Sequence, residues 1–532
     1  MILAQQTEDD SMRRLALVWA LVCGAGLLRA EVKLPAVFAD HMVLQRETAA
    51  AVWGWADPGE KVNAAGNWGA TAEATATPEG TWRLALQTPA AGGPFTVTVK
   101  GAKNSIELKD VLSGEVWLCS GQSNMQMSVS SSKDAQAETA AAAFPQIRLL
   151  TVNRVTANEP QKDCPVQAWA ECSPANVGGF SAAGFFFGRK LHQELKVPIG
   201  LINSSWGGTR IEAWTPWESQ KADLQQDRDA RDAQDKAYDP AKAKAAFEAD
   251  RKAYTEWTQG GKQGKEPRRP RAPVQPRKDP NYPSNLFNAM INPLAPYALR
   301  GAIWYQGEAN AGRGKAYRGQ MERLIASWRQ LWGSDFAVYF VQLPNYMAPW
   351  QKPVEESGWA DLRESFMNTA KEVPHTGMAI TIDIGEEKDI HPKNKQDVGD
   401  RLARMALKQT YGKTGFAWSG PVFKACEFRD GKARVTFDTG GAPLAAKGGG
   451  DLVGFALVGP DGPAVKAKAA IEGTDTVVVS APEVPQPAMV YYAWANNPVG
   501  VNLANAEGLP ASPFRFGALP QVAAPATPAP AK

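Results

Sequence analysis

Four histidines occur in the chain, His41, His192, His375 and His391, so the search for a general base is short. His41 precedes the β-prone run Met42-Val43-Leu44 and reads as structural. His192 shares a helical stretch with Arg189, Lys190 and Glu194 and reads as a surface residue. His375 follows Pro374 at the start of a strand, the wrong end for a site in an α/β sheet. His391 lies in Asp389-Ile390-His391-Pro392, after the apolar run 378–382 and before a helix. Base chemistry would give a histidine there a purpose.

A serine hydroxyl needs such a base, because it is a poor nucleophile until its proton is taken. Ser123 stands in the turn Gly121-Gln122-Ser123-Asn124, just past the apolar strand 115–120. A sharp turn there can expose the hydroxyl and aim the serine N–H at the same substrate. Turn chemistry alone is the competing reading, since the Gly-x-Ser-x-Gly elbow of the common hydrolase fold is missing. Asp389 is the candidate acid to hold the imidazole in its tautomer. Asp383, Glu386 and Glu387 are near, and such a cluster reads equally as solvated loop. For the oxyanion, Trp206-Gly207-Gly208-Thr209 offers backbone that can approach a substrate and present an N–H. Gln306-Gly307-Glu308-Ala309-Asn310 offers side-chain amides, with Glu308 ordering its loop or serving as another acid.

These segments need a scaffold that brings them together. Apolar runs at 115–120, 197–202, 299–305, 336–341 and 378–382 alternate with helical stretches at 182–195, 317–332 and 396–410. Continuous apolar strands between helices predict a mostly parallel sheet covered on both faces. Each reactive segment then falls at a strand's C-terminal end, where sites form in such sheets. Short β-prone runs with turn residues fill 31–110 and 419–518 and predict β-rich flanking domains. The catalytic domain is expected over 111–418. Within it, 220–280 is highly charged: a solvated helix or helix pair, then a Pro/Arg/Lys-rich loop. It reads as a surface insertion, with a lid or a carbohydrate-facing wall as the sharper alternative.

Several strings recur together in one known family. Ser120-Gly121-Gln122-Ser123-Asn124-Met125, Trp304-Tyr305-Gln306-Gly307-Glu308-Ala309-Asn310 and Asp389-Ile390-His391-Pro392 resemble the sialate O-acetylesterase branch of the SGNH/GDSL hydrolases. Residues 37–45, 202–209 and 212–214 are similar to the same family, and the resemblance spans roughly 31 to 518. It implies a three-layer α/β/α catalytic domain, Ser123 as nucleophile and His391 as base. It implies oxyanion donors at the Ser123 N–H, a glycine of Gly207-Gly208, and an amide of Asn310 or, second, Gln306. The broader superfamily places its acid three residues before the histidine. That position is Lys388 here, and Asp389 is one residue closer. No metal or cofactor is implied. The implied substrate is an O-acetylated carbohydrate: sialic acid first, acetylated xylan or another hemicellulose as the alternative. The non-enzyme alternative is an inactive exported carbohydrate-binding protein. Trp206, Trp214, Trp217 and Trp304 near the site loops could stack on sugar faces.

The bulk numbers fit this picture. The 532 residues exceed one ordinary core and call for several domains. A net charge of +3 lacks the basic asymmetry of a nucleic-acid binder. No lysine-bearing glycine-rich phosphate loop is present. Residues 1–30 carry Met12-Arg13-Arg14, an apolar run and a small residue at Ala30, the pattern of a secretory signal peptide. The expected location is therefore secreted or periplasmic. No later run approaches the ~18 apolar residues of a span, so no stable membrane insertion is expected. In an oxidising compartment Cys164 and Cys172 are the best disulfide pair, while Cys119 reads as a buried thiol. No Cys/His spacing suggests zinc. The Ala/Pro/Thr tail at 519–532 cannot build a core. Oligomeric state is not encoded legibly.

Overall fold

The computed structural model describes residues 31–519. The expected signal peptide, and all but the first residue of the expected tail, lie outside the described residues. The chain forms two compact units, and the smaller is discontinuous: it takes the segments up to Leu34, Ala51–Leu86 and Val97–Glu107. Its strands are antiparallel. Lys61–Gly66 pairs with Thr71–Thr75 and with the end of Gly92–Lys100, over a core that includes Val52, Val62, Trp82 and Leu84. Segments 35–50 and 87–96, expected in the N-terminal β domain, cluster with the larger unit instead.

The larger unit is built on a seven-stranded sheet. Its strands are β1 (Ser105–Gly121), β2 (Phe144–Thr151), β3 (Ala170–Cys172), β4 (Ile199–Ser205), β5 (Gly301–Tyr305), β6 (Ala337–Gln342) and β7 (Thr376–Ile380). The order is β7-β6-β5-β1-β4-β2-β3. All neighbours are parallel except β2 and β3. From Val111 to Gly121 every residue of β1 is buried, because a central parallel strand is covered on both faces. The covering helices include α1 (Ala182–Leu195), α2 (Gly314–Trp332), α3 (Gly358–Glu372) and α4 (Gln396–Gln409). Helix α1 starts where the Ser181 hydroxyl accepts the Gly184 N–H at 3.1 Å, the usual satisfaction of an orphan first-turn donor. Its Phe185, Phe186 and Phe187 are buried. Among the described residues, no helix is long and apolar enough to cross a membrane.

The charged insertion forms the helices Trp217–Lys236 and Pro240–Gln259, the second with no buried residue. After Trp418 the chain builds two four-stranded antiparallel sheets. Arg363 on α3 binds this part to the α/β body. It is fully buried and donates to Leu343 O, Pro344 O, Ala495 O and Asn496 O.

The expected Cys164–Cys172 disulfide is corrected: both are free, buried thiols. Glu171, next to Cys172, pairs with Arg148 in β2, whereas Val166, close to Cys164, bridges Val152 past the end of that strand. Four residues of strand separate those positions by roughly 13 Å, and a disulfide needs Cα atoms within about 7 Å. Cys119 is the buried thiol expected.

Candidate active site

Four loops leave the C-terminal ends of β1, β4, β5 and β7 and meet. The turn after β1 requires glycine. Gly121 has φ +137°, and a Cβ there would lie 2.1 Å from Tyr305 O on the neighbouring strand. The chain then turns into a single helical turn, Ser123–Gln126. Ser123 opens that turn, so its N–H has no acceptor within it. Its Oγ lies 2.8 Å from His391 Nε2. The sequence placed these residues 268 positions apart on unrelated loops, and the fold brings them into hydrogen-bond contact.

Asp389 is adjacent but loosely placed. Its Oδ1 accepts the His391 backbone N–H at 2.9 Å. The same oxygen is 3.6 Å from His391 Nδ1, beyond hydrogen-bond reach. Both side chains are partly exposed, at 41% and 46%, so water competes for that contact.

Gly207 lies beside the serine. A Cβ on it would press on Ser123 Cβ at 3.2 Å, and its N–H donates to Gln126 Oε1 at 2.6 Å. An oxyanion would have to displace that side chain to use the Gly207 donor. Gly208 is exposed and has φ +74°, and its carbonyl accepts from Asn281. The amides expected to face the oxyanion are engaged within the protein. Asn310 Nδ2 donates to Glu212 and Gln320, and its Oδ1 accepts from Ile211 N and Gln306. Gln306 Nε2 donates to Gln122 Oε1, Thr209 O and Asn310 Oδ1. Both residues are buried. They tie the β5 loop to the β1 and β4 loops.

Glu308 has no exposed carboxylate to offer as an acid. Burial pushes its carboxyl above the usual range, and its Oε1 accepts from Asn124 Nδ2. Sequence reasoning missed Lys395, which is fully buried beneath the His391 loop. Burial brings its amine down to about 7. It also missed Gln122 and Gln126, whose side chains bind neighbouring loop N–H groups. Their position within one turn of Ser123 was the available signal.

An open cleft of about 770 Å³ reaches Ser123 and His391, with Asn153, Arg154, Gln167 and Asn203 in its wall. Trp206 is half-buried, and the Arg154 guanidinium lies 5.9 Å from its ring centroid. Trp214 and Trp304, expected as sugar platforms, are core residues in edge-to-face contact at 6.1 Å. Trp217 lines a different cleft, stacked on Arg228. Among the described residues, His41, Asp110 and Glu171 bring three potential metal-ligand atoms within 4.8 Å of one another. The Arg148 guanidinium already binds Asp110 and reaches Glu171 at 3.4 Å, a cation where an ion would sit.

Proteins similar to this chain are carbohydrate esterases by name. The sequence profile of the carbohydrate esterase family described as sialic acid-specific acetylesterase matches residues 113–269 and 274–408. The chain is 33% identical over 440 residues to the mouse (Mus musculus) sialate O-acetylesterase, covering 75% of this chain and 77% of that protein. It is 31% identical over 421 residues to the human (Homo sapiens) sialate O-acetylesterase, covering 72% of each. A solved carbohydrate acetylesterase from Xanthomonas citri superposes with a TM-score of 0.77 at 35% identity, covering 91% of this chain and 99% of that one. The chain belongs to the sialic acid-specific acetylesterase family of carbohydrate esterases.

Proposed function

We propose that the protein is a serine carbohydrate O-acetylesterase, with Ser123 as nucleophile and His391 as general base. The observation that carries this reading is the 2.8 Å contact between His391 Nε2 and Ser123 Oγ on the floor of an open cleft. His391 takes the hydroxyl proton as Oγ attacks the acetyl carbonyl. The tetrahedral intermediate's oxyanion is held by the Ser123 N–H and, once Gln126 moves aside, the Gly207 N–H. A donor of this kind is worth about 2.7–4 kcal/mol. The imidazolium then protonates the departing sugar oxygen. A water, deprotonated by His391, attacks the acetyl-serine, and the imidazolium returns that proton to Ser123 Oγ as acetate leaves. The cleft suits a sugar: its wall is rich in amide and hydroxyl side chains, among them Gln126, Asn153, Gln167, Asn203 and Ser205. O-acetylated sialic acid is the favoured substrate, from the names of the relatives, and the amino-terminal pattern supports a secreted or periplasmic enzyme.

The test has two arms. The protein is incubated with an aryl acetate, O-acetylated sialic acid and acetylated xylan oligosaccharides, and acetate is measured. Separately, an alkyl phosphonate ester is used to trap the nucleophile, and the labelled peptide is mapped. The expected outcome is acetate release, fastest from acetylated sialic acid, and phosphonate on Ser123. A preference for xylan oligosaccharides moves the substrate to hemicellulose. Absence of any release removes the enzyme reading in favour of a binding protein.

Asp389→Asn is expected to lower kcat only about tenfold, because the amide keeps an acceptor for the His391 N–H. A tightly bonded triad acid would cost about 10⁴. A 10⁴-fold loss on the aryl acetate would show that Asp389 closes on Nδ1 during turnover.

A further inference from the structure

A serine and a base at 2.8 Å need something to keep them there. Asp389 contacts the ring only at 3.6 Å, so the imidazole's placement depends on its backbone. The carbonyls on either side of His391 are both bound from beneath. Ile390 O accepts Asn124 Nδ2 at 3.0 Å, and Pro392 O accepts Lys395 Nζ at 2.6 Å. Lys395 Nζ also donates to Asn124 Oδ1 at 2.7 Å. Asn124 is thus the chain neighbour of the nucleophile and the anchor of the base's loop. One side chain fixes the two catalytic groups to each other.

We infer that Asn124 and Lys395 are positioning residues for this esterase, a buried clamp that sets the His391 imidazole against Ser123. This rests on the Ser123–His391 reading. Both residues are fully buried, so water cannot replace either donor without opening the loop. The ammonium lies 5.3 Å from the Tyr305 ring centroid. The charged groups facing it are Glu308, from the β5 loop, and Glu386 and Asp389, from the His391 loop. Glu308 completes the clamp by accepting the second Asn124 hydrogen bond, and its Oε2 has no partner among the described residues.

The experiment compares Lys395→Met and Asn124→Ala with wild type, using aryl acetate hydrolysis and active sites counted by phosphonate trapping. A loop displaced by about 1 Å costs about 10²-fold. The expectation for each variant is kcat per trapped site about 100-fold lower, with KM within twofold. A purely structural role would lower the melting temperature and leave kcat per trapped site where it is, and that result overturns the inference. Should Lys395→Met fail to fold, Asn124→Ala decides by kcat alone. The outcomes separate cleanly from the parent reading. Full activity in a protein whose Ser123 is not trapped removes the serine mechanism. Ser123-dependent activity with unimpaired clamp variants removes only the clamp.

Discussion

Ser123→Ala and His391→Ala are each expected to reduce kcat on an aryl acetate by roughly 10⁴–10⁶-fold. Combining them should cost little more than either alone. The reason is that the two act as one unit. Without Nε2 at 2.8 Å, the hydroxyl keeps its proton; without the hydroxyl, the imidazole has nothing to deprotonate in the first step. Residual acetate release would come from the N–H donors and from substrate binding. The check is steady-state hydrolysis by the two single variants and the double variant, each confirmed folded. Independent, multiplying losses would mean that the two residues serve separate steps. A fully active Ser123→Ala protein would mean that the nucleophile is elsewhere. Ser123 touches no buried ion pair, so its truncation should leave stability nearly unchanged. That makes it the cleaner of the two variants.

The sequence singled out Ser123 and His391, which the fold brings to 2.8 Å of each other, because scarcity and strand position isolate them. Four histidines leave one at the C-terminal end of a strand, and an apolar strand ending at Gly121 exposes one serine. Helix α1 was legible to its end residues, Ala182–Leu195, since Ser181 caps it and a Phe-rich face drives it. Parallel strands were legible as apolar runs. β2 was not: Pro145 and Gln146 are exposed and break the run. α3 was missed because its buried positions include Arg363, Ser365 and Thr369, polar residues that read as surface. The same blindness explains Lys395. A lysine four residues after a loop histidine looks like a solvated charge, and only the packing of the β5 loop against it shows otherwise. The tryptophans failed in the opposite direction. Proximity in sequence to the site loops said nothing about side-chain direction, and Trp214 and Trp304 point into the core. Asn310 and Gln306 show the limit of motif reasoning: the amides belong to the site's loops, but their hydrogen bonds hold the loops together.

Glu115→Gln is expected to be the most damaging substitution to stability outside the site. Glu115 enters β1 fully buried. It accepts from Arg46, from both Arg300 Nε and Nη2, from Gln45 and from Tyr411. One carboxylate therefore joins the chain before β1, the start of β5 and the segment after α4. Burial alone would raise its pKa, but Arg300 and Arg46 outweigh burial and hold the carboxyl below its ordinary value of 4.5. Removing one partner of a buried ion pair costs about 3–5 kcal/mol. The lower end applies here, because Arg46 and Arg300 are 26% and 36% exposed and can recruit water. The sign with pH follows from the depressed folded pKa. The carboxylate's contribution is complete above the unfolded value near 4.5 and is lost as pH falls through the folded value. The stability gap between wild type and Glu115→Gln, read from urea midpoints, should therefore be full at pH 7 and begin to close only below about pH 4.5. A gap that stays constant down to acid would assign the loss to packing of the amide rather than to the charge. No gap at pH 7 would mean that the arginines are held by other means.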